Sequence, residues 1–338
     1  MNHPLNQQDK GNFTKAIKRA KWKSTFRTTI ISLLVTVIVL FGAMIGNAHL
    51  ASWSAERVSK SENALMQITG PNEVVTARRN NSGFLSGTLQ TYTAKVIEGA
   101  VVPWSHKETK YNVFPFLSFT SLSGSINQSL SVPDADMQEN SYEYNRSFNG
   151  LSGQREMLFY IPSIDYNDKI LNDLPLLQEM NPAKLVEMAI SFDKDYSLSE
   201  VKQLIPPGLT QTWYWVDTYD NKKYLESYID GNGNKSYSTP FSESWVHGFG
   251  INLSSESSME VTEQKFLDAL EAGVRLEGNH HYDFNRIYNY LKKDKEKPDA
   301  SDIRVLGVVV TGTAEELRVL SDEPYVRGVT LGAVADKY

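Results

Sequence analysis

Between Arg27 and Glu56 the chain has no Asp, Glu, Lys or Arg. Inside that gap lies TTIISLLVTVIVLFGAMIGNA, from Thr28 to Ala48. A helix rises about 1.5 Å per residue, so ~20 such residues cross a hydrocarbon layer of ~30 Å. Only a helix or a closed barrel satisfies its own backbone there, and one apolar run means a helix. The reading is one transmembrane helix over 28–48, marked along its length by Thr28, Leu34, Val39 and Ala48. The bilayer is thus the first partner of this chain. The span separates a tail, 1–27, from about 290 residues beyond it.

The tail carries Lys10, Lys15, Lys18, Arg19, Lys21, Lys23 and Arg27 against the single acid Asp9. It nets +6, the whole chain nets −6, and residues after 27 therefore net −12. Lys and Arg beside a span stay cytoplasmic, which predicts a single-pass protein with its N-terminus inside and its C-terminal region outside. A cleaved secretory signal is the rival. Its apolar core is typically about 7–15 residues after a short basic start, whereas here the run is longer and the basic stretch precedes it by 27 residues. Small residues at Ala48 and Ala51 leave cleavage open. The tail reads as a helix, with Phe13, Ile17 and Trp22 near one face among the cations. Two uses fit it: a basic anchor on anionic lipid, or a docking peptide for a cytoplasmic partner.

The outer part is long enough for one large domain or two ordinary ones. Its 17 tyrosines and the 41% hydrophobic content of the chain are those of a folded protein. The absence of cysteine excludes disulfides, thiol nucleophiles and cysteine metal sites. The acidic balance outside argues against direct nucleic-acid binding there.

Residues 49–63 read as a helical stalk continuing from the span, with Trp53 at the interfacial aromatic belt. From 64 to 165 short β-prone runs alternate with turns: Glu73–Ala77, Leu89–Ile97 and Met157–Ile161, punctuated by Ser-Gly pairs. This is expected to be an irregular β-rich region, with 120–155 as loop. The part from 180 to 338 is clearer. Leu185–Phe192 is a predicted strand, 197–205 a short helix capped by Asp195 or Ser197, and Thr212–Thr218 a strand with Trp213 and Trp215 on one face. The plan repeats at the end: strand Ile303–Thr311, N-cap Thr313, a short helix with Glu315 and Glu316 in its first turn, and strand Val326–Val334. Between the repeats lie a strand at Gly248–Leu253 and helices Val261–Ala272 and Tyr282–Lys293. The class is α+β, and two such units suggest a ferredoxin-like sandwich with two βαβ units.

Catalytic signatures are missing. Asp230-Gly231-Asn232-Gly233-Asn234 opens like a calcium loop but has Lys235 where Gly is required and Phe241 where the bidentate Glu belongs, so a hairpin turn is expected. His280 and His281 are adjacent, a spacing that does not converge on a metal, even with Glu277 and Asp283 nearby. Gly-Phe-Gly at 248–250 needs only a close backbone approach. Asp193/Asp195 and Asp134/Asp136 serve as loop and capping residues. No enzyme activity, cofactor or metal is expected.

LVEMAISFDKDYSLSEVKQLI followed by TWYWVDT resembles the opening of the sigma-factor-regulator C-terminal domain. LGVVVTGTAEELRVLSDEPYVRGVTLGAV resembles its close, and KAIKRAKWKSTFRTTIISLLVTVIVLFGAM is similar to the paired N-terminal module. The resemblance covers roughly residues 13–50 and 180–336. Members include membrane-bound anti-sigma factors that restrain extracytoplasmic-function sigma factors. The resemblance implies a binding mechanism: the cytoplasmic segment holds a sigma factor, or a membrane partner that does, and the outer domain senses an unknown envelope signal. Lys15, Lys18, Arg19, Trp22 and Lys23 are the candidate cytoplasmic contacts. The chain departs from the family pattern in offering only 27 residues for that task, whereas a stable interface usually takes ~800 Å² per partner. The alternatives are a membrane-anchored envelope binding protein without a transcriptional role, and an envelope enzyme.

Overall fold

A computed structural model describes residues 7–114, 129–250 apart from Asp230, Asn232 and Asn234, and 262–337 apart from Glu277, Asn279 and Asp322. Part of the 120–155 loop and residues 251–253 of the strand expected from Gly248 lie outside the described residues. Tail, span and stalk form one helix, α1 (Gln7–Met66), 60 residues and about 90 Å long. The stretch long and apolar enough to cross a membrane is left uncovered by the rest of the chain: Leu34 and Val39 are 56% and 62% exposed. Its threonine hydroxyls are satisfied internally. Thr28, Thr29 and Thr36 donate to the carbonyls of Ser24, Thr25 and Ser32, as a helix in hydrocarbon requires.

The strands β1 (Glu73–Ser82), β2 (Ser86–Ile97) and β3 (Ala100–Asn112) form an antiparallel meander. Its first turn hangs on the helix: the Asn47 amide donates to the Gly83 carbonyl and accepts from the Leu85 N–H. The expected stalk is therefore built in rather than free-standing. Ala51 and Ala55 are buried against Tyr111, and Ser54 donates to the Asn112 carbonyl. Of the two small residues that leave signal cleavage open, Ala51 is 1% exposed and Ala48 is exposed.

The C-terminal sheet contains β4 (Leu185–Tyr196), β5 (Thr210–Val216), β6 (Gly248–Gly250), β7 (Val305–Thr313) and β8 (Val326–Ala335). Its order is β6-β5-β7-β4-β8, with every neighbouring pair antiparallel. The strands of each predicted strand–helix–strand unit are thus not adjacent: β7 separates β4 from β5, and β4 separates β7 from β8. The crossover helices start where their caps dictate. Ser197, not Asp195, opens α2 (Leu198–Leu204) through a capping box with Glu200, and Asp195 instead pairs with Arg304. The helices α3 (Glu263–Arg275) and α4 (His281–Lys292) lie in the long connection, and Thr313 with Glu316 caps the single turn α5 (Ala314–Leu317).

Both faces of this sheet are covered, which is why its strands read as near-continuous apolar runs. One face, with Val186, Met188, Ile190 and Phe192, packs on Phe266, Leu270, Phe284 and Ile287 of the helices. Ala64 near the C-terminal end of α1, and Ile68 just past it, join that same core. The other face carries Ala189, Trp213, Trp215 and Val309 against Met157–Ile161, so this segment of the β-rich region belongs to the core of the C-terminal sheet. Polar side chains on that face satisfy the covering backbone. Ser191 accepts from the Tyr160 N–H, and Thr330 both accepts from and donates to Leu158.

Candidate functional site

The N-terminal part of α1 presents its charges openly. Lys15, Lys18, Arg19, Trp22 and Lys23 are all exposed. At 3.6 residues per turn they fall within an arc of about 140°. Trp22, 72% exposed, stacks on Phe26 with centroids 5.8 Å apart. Helical geometry sets Phe13 and Ile17 about 140–180° round from Trp22. Contrary to the sequence reading, Trp22 therefore shares the face of the cations and not that of Phe13 and Ile17. The structure brings the five candidates onto one exposed stripe of α1.

The densest chemistry lies where the meander meets the C-terminal sheet. Lys95 on β2 is fully buried. Its Nζ donates to Glu187 Oε2 of β4 at 2.9 Å and to Glu243 Oε2 at 3.0 Å. It also sits 3.9 Å from the centroid of the Trp104 ring on β3. Trp104 Nε1 donates to Glu243 Oε1 at 2.5 Å, the Met157 N–H donates to Glu243 Oε2, and Asn72 donates to Glu187 Oε1. A Cβ at Gly332 would come within 2.5 Å of Glu187 Oε2, so only glycine leaves room for the carboxylate. One cation thus faces two carboxylates in a dry site. Burial pushes Glu243 up, and the nearby Glu187 charge adds to it, so that its pKa rises to about 7 despite Lys95. Burial disfavours the Lys95 ammonium, but the two carboxylates outweigh it and hold the amine protonated.

A second junction ties the helix to both layers. Glu62 of α1, 4% exposed, accepts from Lys107 Nζ of β3 at 2.6 Å and pairs with His280 Nε2 at 3.0 Å. Burial opposes its ionisation, yet His280 and Lys107 hold its pKa down at about 2. His280 is thus a tether between the start of α4 and the membrane helix, not a free surface histidine. Nearby, the Gly248 N–H donates to the Ile68 carbonyl. The close approach expected of Gly-Phe-Gly is real: a Cβ at Gly248 would lie 2.0 Å from the Tyr214 carbonyl oxygen.

Between the end of α1, the meander and the C-terminal domain runs a cleft of about 760 Å³. Met66, Phe241 and Trp245 give it an apolar lining, and Glu73, His247 and Arg286 bring polar groups. Burial, with Arg286 nearby, lowers His247 to about 4, so it stands neutral. Arg286 is held by the Thr218 carbonyl and Asp220. The arrangement suits non-covalent binding. Among the described residues no group of three His, Cys, Asp or Glu converges as for a metal. Asp134 caps a turn through the Met137 N–H, and Asp193 accepts from Tyr196. Tyr228–Ile229 and Lys235–Ser236 pair as a hairpin around the loop that opens like a calcium site; its Asp230, Asn232 and Asn234 lie outside the described residues.

Sequence reasoning missed Lys95, Glu187, Glu243, Trp104 and Glu62. A signal was present: Lys95 and Glu187 each interrupt an otherwise apolar or uncharged strand, LQTYTAKVI and LVEMAISF. Charges are almost never fully buried unless paired, so two such interruptions in one chain invite pairing.

Two family models match the sequence on either side of the junction. The sigma factor regulator N-terminal model matches residues 14–102, and the sigma factor regulator C-terminal model matches 177–333. The first extends well past the span, through the stalk and β2 into β3, and so takes in Lys95 and Glu62. No curated protein and no solved structure matches the chain significantly. A helix long and apolar enough to cross a membrane, locked at its C-terminal end into an α+β region, fits a membrane-anchored regulator. The chain belongs to the sigma factor regulator family, which is regulatory and implies interaction with a sigma factor.

Proposed function

We propose that this protein spans the membrane once with its N-terminus cytoplasmic, and restrains an extracytoplasmic-function sigma factor in response to the state of the envelope. The observation that carries this reading is the continuity of α1. Its N-terminal end carries the exposed stripe Lys15, Lys18, Arg19, Trp22 and Lys23, and its outer end is built into the C-terminal core through Ala64 and Ile68. A change in the outer region would reach the tail as motion of a rod, with no flexible linker to absorb it. Such coupling needs a signal that favours one arrangement over the other. The tail acts on the sigma factor directly or through a membrane partner that holds it. The orientation draws on the seven tail cations. The ferredoxin-like reading of the C-terminal domain draws on its strand order and on the two split crossovers that pack on one face.

The test is co-purification from the native host. Detergent-solubilised full-length chain is compared with a version lacking residues 2–27 and given a substitute basic flank. A sigma factor with the full-length chain alone places regulation in the tail, and one with both points to a bridging partner. None with either, both being folded, refutes the proposal and leaves the second reading, an envelope binding protein using the cleft beside Trp245 and Arg286.

A further inference from the structure

We propose that the turn between β1 and β2 is a second membrane contact, which seats Phe84 in the headgroup–acyl boundary of the outer leaflet. The inference rests on α1 spanning the bilayer. The span ends at Asn47–Ala48, the point where polar sequence begins. Asn47 grips the turn from both sides: its Nδ2 donates to the Gly83 carbonyl at 3.2 Å and its Oδ1 accepts from the Leu85 N–H at 2.6 Å. Two hydrogen bonds to residues 83 and 85 place residue 84 at the level of Asn47, which the length of the span puts at the membrane surface. The turn is further fixed by Gly83 N–H to the Ser86 carbonyl, Val113 N–H to the Leu85 carbonyl, and a left-handed Leu85 with φ of 52°.

What this turn displays suits a lipid surface. Its sequence, Ser82-Gly83-Phe84-Leu85-Ser86, has no charged residue. Phe84 is 58% exposed, and Phe114, which follows the end of β3 at the same edge of the meander, is 39% exposed. Trp53, six residues beyond Asn47 or about 9 Å along the helix, is 56% exposed. Aromatic side chains concentrate at the membrane interface, and an apolar group there sinks about 5–10 Å into the headgroup boundary. At the membrane surface the exposed part of the ring leaves water on entering the interface. A lone helix is free to tilt and rotate, since tilt is set by neighbours and anchors. A second contact from a sheet hydrogen-bonded to that helix fixes its tilt. Lys95 carries the constraint on to the C-terminal sheet, because it lies on β2, the strand that leaves this turn.

The absence of cysteine makes the test direct. Full-length F84C, L34C and W245C are each labelled with the environment-sensitive fluorophore NBD in phosphatidylcholine–phosphatidylglycerol nanodiscs. Quenching by nitroxide placed shallow in the acyl chain is compared with quenching by aqueous iodide. Trp245 is the distal control: 72% exposed, it shares the cleft with Met66, about 27 Å along the helix from Ala48. The expected result is lipid quenching at position 84 greater than at 245 by a factor of roughly two or more, with iodide showing the reverse order. If position 84 follows 245 while position 34 is quenched by lipid, the turn contact is refuted and the span stands. If position 34 also escapes lipid, the spanning reading itself fails. Hydroxyl-radical footprinting of the unmodified chain gives an answer free of label effects. With each residue's oxidation normalised to its own in the denatured chain, Phe84 is expected to be protected in nanodiscs relative to Trp245, and equal protection of the two overturns the proposal.

Discussion

Lys95→Met should be among the most damaging single changes outside the membrane, and its cost should depend on pH. The methionine has about the right volume but leaves Glu187 and Glu243 in a dry site with no cation. Removing one partner of a buried ion pair typically costs about 3–5 kcal/mol. The same figure follows from proton uptake. Lys95 is what holds Glu243 down, so losing the ammonium leaves that buried carboxyl protonated to higher pH in the folded variant. Protonating a glutamate of ordinary pKa costs about 1.4 kcal/mol per pH unit above it, hence about 4 kcal/mol at pH 7.5 and about 1 kcal/mol at pH 5. For a domain of this size that is a fall in Tm of about 8–16 °C near neutrality. The assay is denaturant unfolding of the full chain in nanodiscs, followed by near-ultraviolet circular dichroism at both pH values. Lys95→Met/Glu187→Gln should recover about half of the loss at pH 7.5, a coupling of ~2 kcal/mol. A loss below ~1 kcal/mol at pH 7.5, an equal loss at pH 5, or no recovery in the double variant would refute the reasoning.

Two further titrations test the junctions. Glu243 has its pKa raised from 4.5 to about 7 in the folded state, so the fold holds the extra proton between those values. Its contribution is fully present below about 4.5 and is lost as pH rises through 7. Glu243→Gln should therefore gain stability relative to the parent from pH 5 to pH 8, seen as converging or crossing melting curves; a constant offset would contradict the assignment. Glu62 behaves oppositely. Its pKa is lowered to about 2, so its contribution is present above about 4.5 and is lost as pH falls towards 2. Glu62→Gln should cost about 2–3 kcal/mol at pH 7 and almost nothing near pH 2, measured by the same unfolding assay, and it should raise protease sensitivity around Ala51.

Much of the architecture was legible, and the reason is locality. A run of uncharged residues, a capping serine followed by glutamate, and alternation about Trp213 and Trp215 each act within one or two turns of chain. They gave α1, α2 and the strands β4, β5, β7 and β8 close to their observed limits. The site was less legible. The sequence reading placed Trp22 with Phe13 and Ile17, which strict 3.6-residue geometry does not allow. It offers no partner for His280 because the acid that His280 meets lies 218 residues earlier. It drew the Met157–Ile161 segment with the β-rich region because nothing in MLFYI says which sheet it will cover.

By itself the sequence determined the helix apolar enough to cross a membrane, the basic tail, the α+β class and the family, since each rests on contiguous residues or on a pattern of fixed period. Only the tertiary structure decided how the parts are joined. It brought Lys95 to Glu187 and Glu243 across 92 and 148 residues, hung the first turn of the meander on Asn47, and buried the C-terminal end of α1 in the core of the C-terminal sheet. The physical reason is that a charge leaves water only when its partners are already in place. Those partners came from strands whose pairing no local pattern specifies.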